Sequence, residues 1–452
     1  MSEIDWRKGE DAVLLRPIFG TGWRFYAAVG VLGALVLWGV VSYIVQYGQG
    51  LGVTGMNHPV SWAFYIVNFV FFIGISHAGT LISAILRLSQ AEWRRPITRI
   101  AEVITVLVLG IGGMNILIDL GRADRIPNLF LYGRYQSPLL WDATSITAYL
   151  TASTVYLYVP MIPDIAVLRD QRSGGWRGWL YQVLALGWEG TEAQHRVLNR
   201  AVAILAVLVV PIAVSVHTVV SFVFSMTLQP MWHSTIFGPY FVVGAIFSGI
   251  AALLVAMAIL RKVFHLEDYL QPIHFNYLGL LMLVMVLLWC YFTFAEYLTT
   301  YYGNEPAEMR VFAAKFGGKY APFFWAMVVL CAGIPFPILA WSRTRTIAGC
   351  VVASCSVMIG MWLERFNIVI ATLANPRMSQ YAQGSYFPSI VEIGIMTGCF
   401  SLFVLLYVLF SKLFPIISIT EVREGREKTV EIVKERLARY TPGLGKLPGV
   451  SS

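Results

Sequence analysis

Charge is what this sequence has least of. Asp, Glu, Lys and Arg make up 13% of its 452 residues, about half of what a water-facing surface carries. With 57% hydrophobic residues, a set of soluble domains is excluded and the chain must meet lipid.

Metal-binding residues are equally sparse. The five cysteines, Cys290, Cys331, Cys350, Cys355 and Cys399, form no CxxC or CxxCH pair, so the spacing that holds an iron–sulfur cluster or a c-type haem is missing. Each reads as a small hydrophobe inside a span. Of seven histidines only His77 and His217 fall clearly within apolar runs, whereas a transmembrane di-haem cytochrome b needs four axial histidines at matched depths. No metal ligand, haem or iron–sulfur cluster is therefore assigned to this chain. No cleavable signal is expected either: the first apolar run follows a polar segment, Met1 to Arg16, and is too long for one.

What is present is a series of runs of about 20 apolar residues, the length that crosses a ~30 Å hydrocarbon layer. They fall near 22–46, 61–86, 101–120, 139–166, 201–222, 239–260, 277–299, 322–341, 346–365 and 389–414. The fold class expected is all-α, a polytopic membrane protein of about ten spans. Ten spans place both termini on one side. That side takes 25 of the 33 Lys and Arg, the opposite loops 7, and Arg365 sits at a predicted helix end. The asymmetry predicts cytoplasmic termini in a cell (inner) membrane. The net charge of +8 thus reflects topology and gives no reason to invoke nucleic acid.

Helices entering from the outer face are predicted to start at Pro59, Pro138, Pro239, Pro322 and Pro388, where proline's missing N–H costs nothing. Three extend to Pro-x-x-Trp, at Trp62, Trp141 and Trp325. The pattern divides the chain into a tail 1–21, a first span with its outer loop 22–60, a four-helix bundle 61–222, and a second bundle 223–366. A loop and last span 367–414 and a cytoplasmic tail 415–452 complete it. Outer loops 121–138, 223–238, 300–321 and 367–388 are long and aromatic, with Tyr132, Tyr135, Trp232, Tyr301, Tyr302, Tyr320, Tyr381 and Tyr386. Such neutral surfaces suit a docked protein. The tail reads as a short charged surface helix with a Gly/Pro end.

Ionisable groups at mid-bilayer cost roughly 2.5–3.5 kcal/mol on insertion scales, so each needs a reason. Asp119, Asp142, His217, Glu296, Glu364 with Arg365, and Glu392 lie toward the outer ends; His77, Glu102 and Asp164 lie deeper or inward. His77 stands 16 residues past Ser61, ~24 Å below the outer end. Bland readings compete with functional ones. Glu364 and Arg365 can be a helix-end pair, Asp142 a helix-start charge, and His217 a packed histidine. His77, Asp119, Asp142, Asp164 and His217, on successive helices, also form the expected signature of a proton relay.

Five motifs carry a resemblance. They are His77-Ala-Gly-Thr-Leu-Ile-Ser-Ala-Ile-Leu, Ser137-Pro-Leu-Leu-Trp-Asp142, Ser215-Val-His217-Thr-Val-Val-Ser-Phe, Trp232-His233-Ser-Thr-Ile-Phe-Gly-Pro-Tyr and Gly360-Met-Trp-Leu-Glu364-Arg365-Phe. In this order they resemble the NrfD/polysulfide-reductase-type membrane subunits, and among them the C subunits of the quinol-oxidising alternative complex III. The resemblance covers residues from about 15 to 415. It implies two four-helix bundles (spans two to five and six to nine) plus flanking spans one and ten.

It also implies that quinol, menaquinol or ubiquinol, is oxidised here. Electrons would go to an iron–sulfur subunit and multihaem cytochromes c on the outer face, beside further membrane subunits including a paralogue. Asp142 is the expected first proton acceptor and His77 the second quinol contact. Trp141, Phe72, Tyr149 and Asp119 would line the ring site, with Asp164, His217 and Glu102 as relay. Glu364, Arg365, Glu296 and His233 are the candidates of the second bundle. The rival class is an ion- or solute-translocating secondary transporter, whose helices usually break at midplane in both halves; a third is a structural anchor without quinone.

The topology is directly testable. A cysteine placed near Ser452 should be labelled by an impermeant maleimide only after the inner face is opened, and labelling in intact cells would refute cytoplasmic termini.

Overall fold

The computed structural model describes residues 12–171, 174–378 and 382–426, and every regular element among them is helical. α1 (Ala12–Phe19) precedes α2 (Trp23–Gln49). α3 (Phe64–His77) continues through a π-helical turn, Ala78–Ile82, into α4 (Ser83–Leu88). α5 (Arg95–Asp119) is followed by the short α6 (Pro127–Leu131). α7 (Pro138–Tyr158) runs through a 3-10 turn at Val159–Met161 into α8 (Ile162–Gln171); α9 (Gly175–Leu184) and α10 (Glu192–Ser225) come next. α11 (Phe237–Val263), α12 (Pro272–Gly303) and α13 (Pro306–Phe316) lead to α14 (Ala321–Val328), which passes through a π turn, Val329–Gly333, into α15 (Pro335–Ala340). α16 (Ile347–Leu373) and α17 (Ile390–Leu413) end the spanning series.

Among the described residues nine helical segments are long and apolar enough to cross a membrane. The tenth expected span is α3 with α4. The π turn stops α3 after 14 residues, and only residues 64–88 together reach crossing length, about 37 Å. Several helices outrun their apolar cores: α10 starts at Glu192 and α16 reaches Leu373. α10 can start early because Thr191 and Gln194 form a capping box in its polar lead-in, which satisfies two backbone donors. Pro138, Pro239 and Pro322 do sit in first turns, whereas Pro59 stands ahead of α3 and Pro388 precedes the Ser389 cap of α17.

All fourteen residues of α3 are buried, as expected for a helix apolar all round at the centre of a bundle. It packs on α5; α5 packs on α7, and α7 on α10. α11 packs on α12 and α16, α12 on α15, and α14 on α16. α3 also lies against α11 and α16, joining the two groups, and Trp362 on α16 donates to the buried Asn68 Oδ1 on α3 at 2.9 Å.

At the end of the bundle where α2 begins, the segment after α17 is anchored by buried charge. Asp164 accepts from Arg99 at 3.0 Å and from Ser418 and Thr420 at 2.9 Å. Glu421 pairs with Arg87 at 2.7 Å and Arg94 at 3.1 Å. Burial alone would raise the Glu421 carboxyl, but these guanidiniums hold it below its usual value. A helix opens at 419 and continues to the last described residue, 426; the rest of the expected tail helix and its Gly/Pro end lie outside the described residues, as does Tyr381.

α2 is attached chiefly through glycine. A Cβ on Gly39 would approach the Gly398 Cα to 2.8 Å, and one on Gly398 would meet the Gly39 Cα at the same distance. Small residues let lipid-embedded backbones touch, which is the main source of attraction there. Gly398→Leu should therefore cost about 2 kcal/mol, read as a lower Tm and easier proteolysis between α2 and α3; unchanged values would show that the seam contributes nothing.

Candidate functional site

α7 carries the polar face of the first helical group. Asp142, Ile146, Tyr149, Ser153 and Tyr156 are its buried positions down to the inner third, one stripe extending ~21 Å. Asp142 is not a cap. Ser137 holds the N-cap position and Pro138 opens the helix, so Asp142 stands in the second turn, 5% exposed, with no hydrogen-bond partner on Oδ1. A buried carboxylate oxygen without a donor is costly, which a charge placed only to start a helix would avoid. Beside it, the Trp141 indole donates to the Tyr135 carbonyl.

Two turns inward, the Tyr149 hydroxyl donates to the Ser76 carbonyl at 3.2 Å, and Thr105 donates to that same oxygen at 2.7 Å. The His77 ring lies 5.4 Å from the Tyr149 ring and 4.1 Å, edge-on, from that of His217. His77 Nδ1 is 3.0 Å from the Ile73 carbonyl and Nε2 is 2.7 Å from that of Ala213. Only an imidazolium can donate to both, so the cage has acceptors for one proton more than a neutral ring carries. His217 is fully buried with no partner on either nitrogen.

The expected difference in depth between the two histidines disappears. α3 starts at Phe64 rather than 61, and His217 stands eight residues from the end of α10 at Ser225, ~12 Å in. Gly79 explains the motif after His77, since a Cβ there would strike the Ala101 carbonyl and Thr105 on α5.

Further inward, Tyr156 lies 3.1 Å from Ser83, and Ser83 donates to Glu102 at 2.7 Å. Arg87 reaches both Tyr156 and Glu421. The stripe thus connects the level of Asp142, through the His77 level, to Glu102.

Glu364 and Arg365 are not a helix-end pair. α16 continues for two more turns, both side chains are 1% exposed, and Arg365 Nη1 lies 2.6 Å from Glu364 Oε2. This ion pair is not aligned as a hydrogen bond, leaving Arg365 Nη1 and Nη2 without acceptors. Trp289 donates to Glu364 Oε1 at 2.5 Å, and the guanidinium covers the Phe241 ring at 5.0 Å. The sequence placed this pair at an interface because the apolar run ends at 365, while the helix does not.

Other expected members lie elsewhere. Asp119 is at the outer end of α5, near the charge of Glu392, next to Tyr65, which donates to Gln46 at 2.5 Å. Phe72 packs on Phe400 of α17, ring centroids 4.8 Å apart, away from His77. Asp164 is saturated by the contacts given above. Glu392 serves structure: it accepts from Gly55 at 2.6 Å, Ser389 at 2.9 Å and Tyr386 at 2.8 Å. His233 and Glu296 share an outer cavity of about 320 Å³ with Ser234, Thr300 and Glu308, and Glu296 Oε2 has no partner.

Tyr156, Ser83, Arg99 and Trp289 were not singled out from sequence. The heptad-like recurrence of Asp142, Tyr149 and Tyr156 was a usable signal; the Trp289–Glu364 contact had none. Among the described residues, no group of three or more His, Cys, Asp or Glu side chains is placed to hold a metal ion.

Comparison with known proteins adds an independent line. The family profile described as polysulphide reductase, NrfD, matches residues 52–376. The chain is 26% identical to a putative dimethyl sulfoxide reductase membrane subunit of Halobacterium salinarum, over 87% of this chain and 92% of that protein. It is 23% identical to a selenate reductase subunit of Mesobacillus selenatarsenatis, over 85% and 93%. It is 24% identical to an Hdr-like menaquinol oxidoreductase integral membrane subunit of Archaeoglobus fulgidus, over 92% of this chain and all of that protein.

Lys315, on α13 outside the spans, supplies a pH test of the outer cavity's surroundings. It is 3% exposed; burial pushes its amine from 10.5 down to about 7, against the pull of the Glu296 charge. An amine that loses its proton more readily folded than unfolded destabilises the protein below pH about 7, and the cost fades as pH rises toward 10.5. Lys315→Met should raise Tm at pH 6, with the gain shrinking by pH 10; a gain independent of pH would assign it to packing alone.

Proposed function

The chain belongs to the NrfD, polysulphide reductase, family, and on that premise we propose that it is the quinol-binding and quinol-oxidising membrane subunit of a multisubunit electron-transfer complex. We place it with the alternative complex III type, passing electrons to an iron–sulfur or multihaem c partner on the outer face. A paralogous membrane subunit would lie beside it in a bacterial cell membrane, with both termini cytoplasmic. The relatives named as subunits of reductases, and the Archaeoglobus protein named for menaquinol, support the class. The observation that carries the reading is the inward stripe of α7, with the unpartnered Asp142 oxygen at its outer end and the caged His77 beside His217 at its middle.

Quinol oxidation releases two electrons and two protons, and electron transfer is disfavoured until a base accepts a proton. Asp142 has a free, water-poor oxygen to take the first at the outer end, near the electron acceptor. Trp141, braced by its bond to Tyr135, and Tyr149 are the rings available to the quinol head; Phe72, committed to Phe400, is left to packing. His77 can hold the second proton between its two carbonyls and exchange it with the adjacent His217. Tyr156, Ser83 and Glu102 extend this line inward, while Asp164, fully bonded, stays outside it. Exposed Tyr132, Tyr135, Tyr301, Tyr302 and Phe387, each more than 60% accessible, offer the partner an aromatic surface.

The transporter reading draws on the helix breaks at Ala78–Ile82 and Val329–Gly333, one in each half. These are π turns that keep their backbone hydrogen-bonded, whereas an ion site needs unwound carbonyls.

The test is quinol:acceptor turnover of the assembled complex, with its polypeptide composition checked by gel. Asp142→Asn keeps the shape but cannot accept the proton, and should slow oxidation roughly 10²-fold. His77→Ala should also impair it. Near-normal turnover in Asp142→Asn with every polypeptide present would remove Asp142 from the mechanism.

A further inference from the structure

At the end of the bundle where α2 begins and α11 and α17 finish lies a cavity of about 350 Å³, lined by Arg16, Gly20, Thr21, Gly22, His265 and Lys412 among others. No acidic side chain of the described residues borders it. Lys412 is 9% exposed, rests on the Phe25 ring at 4.9 Å, and donates to the Gly20 carbonyl. An ammonium has three donors, and among the described residues Lys412 has no carboxylate within ion-pair distance. The Arg177 charge on α9 bears on it as well. A buried cation with Arg16 on the same lining and the Arg177 charge nearby is expensive unless an anion joins it.

The backbone points the same way. α2 starts at Trp23 behind Gly22, which lines the cavity, with no side-chain cap and no acidic residue in its first turn; a helix start of this kind favours an anion. The level is that of lipid headgroups. Trp23, Trp176 and Trp179 are 75%, 63% and 66% exposed, as in an interfacial aromatic belt. α9, which carries Trp176 and Trp179, is tied to the end of α17 by the Tyr181 hydroxyl, which donates to the Leu413 carbonyl at 2.8 Å.

We propose that this cavity binds the phosphate group of an anionic phospholipid, held by Lys412 and Arg16 beside the N-terminus of α2. His265 adds a further donor. The site is independent of the quinol reading, since none of its residues belongs to the α7 stripe.

The test uses the full-length protein, delipidated in detergent and titrated with phosphatidylglycerol, phosphatidylcholine or inorganic phosphate, with bound lipid counted by native mass spectrometry. The wild type should retain phosphatidylglycerol in preference to phosphatidylcholine. Lys412→Gln and Arg16→Gln should each weaken that retention about 5-fold, and together roughly 30-fold. Thr21→Asp places a negative charge in the lining; it should expel the lipid, and because that carboxylate answers the Lys412 charge and the start of α2, Tm in lipid-free detergent should hold or rise. Retention equal to wild type in the double variant and in Thr21→Asp would overturn the site. Occupancy by inorganic phosphate as tight as by phosphatidylglycerol would overturn the lipid and leave a free-anion pocket.

Discussion

In hydrocarbon there is no water to satisfy a polar group, and each one left alone costs several kcal/mol. The architecture follows from how this chain meets that requirement around α3. A helix buried on all fourteen residues has no lipid face, so its polar atoms can look only to protein for partners. Asn68 Oδ1 finds Trp362 while its Nδ2 is left without a partner, the Ser76 carbonyl finds Tyr149 and Thr105, and His77 finds Ile73 and Ala213. These bonds fix the positions of α5, α7, α10 and α16 around the centre, and through α16 and α11 they couple the two groups of helices.

The same requirement sorts the buried charges. Asp164 and Glu392 are saturated by donors from several segments, and Glu421 is paired twice; each ties a distant piece of chain to a helix end. Asp119, Asp142, Glu296, His217, Glu364 and Arg365 keep buried polar atoms without hydrogen-bond partners. A folded protein retains such a cost where something else uses the atom.

Close backbone approach is the second device. Gly79 lets α3 touch α5 at the π turn beside His77, and Gly39 against Gly398 lets α2 lie on α17. The first sets the histidine against Tyr149 and His217. The second holds the peripheral pair without buried charge.

The sequence alone determined the medium, the number of crossings to within the one helix that the π turn divides, and the positions at which polar side chains enter the membrane. It could do so because hydropathy is a local property, and a 20-residue apolar run has few alternatives in a bilayer. The Asp142–Tyr149–Tyr156 recurrence needs only helical periodicity to be seen, yet Tyr156 was recognised only once α7 was in place. Tertiary structure decided which of these groups meet. His77 and His217 are 140 positions apart in sequence, and their shared depth depends on where α3 and α10 begin and end. Glu364 and Arg365 looked terminal because the apolar run stops there; packing against Trp289 and Phe241 carried the helix onward and buried them. Asp164 read as a relay carboxylate until Arg99, Ser418 and Thr420 closed around it. Partner choice among distant segments is set by packing geometry, and no local pattern encodes it.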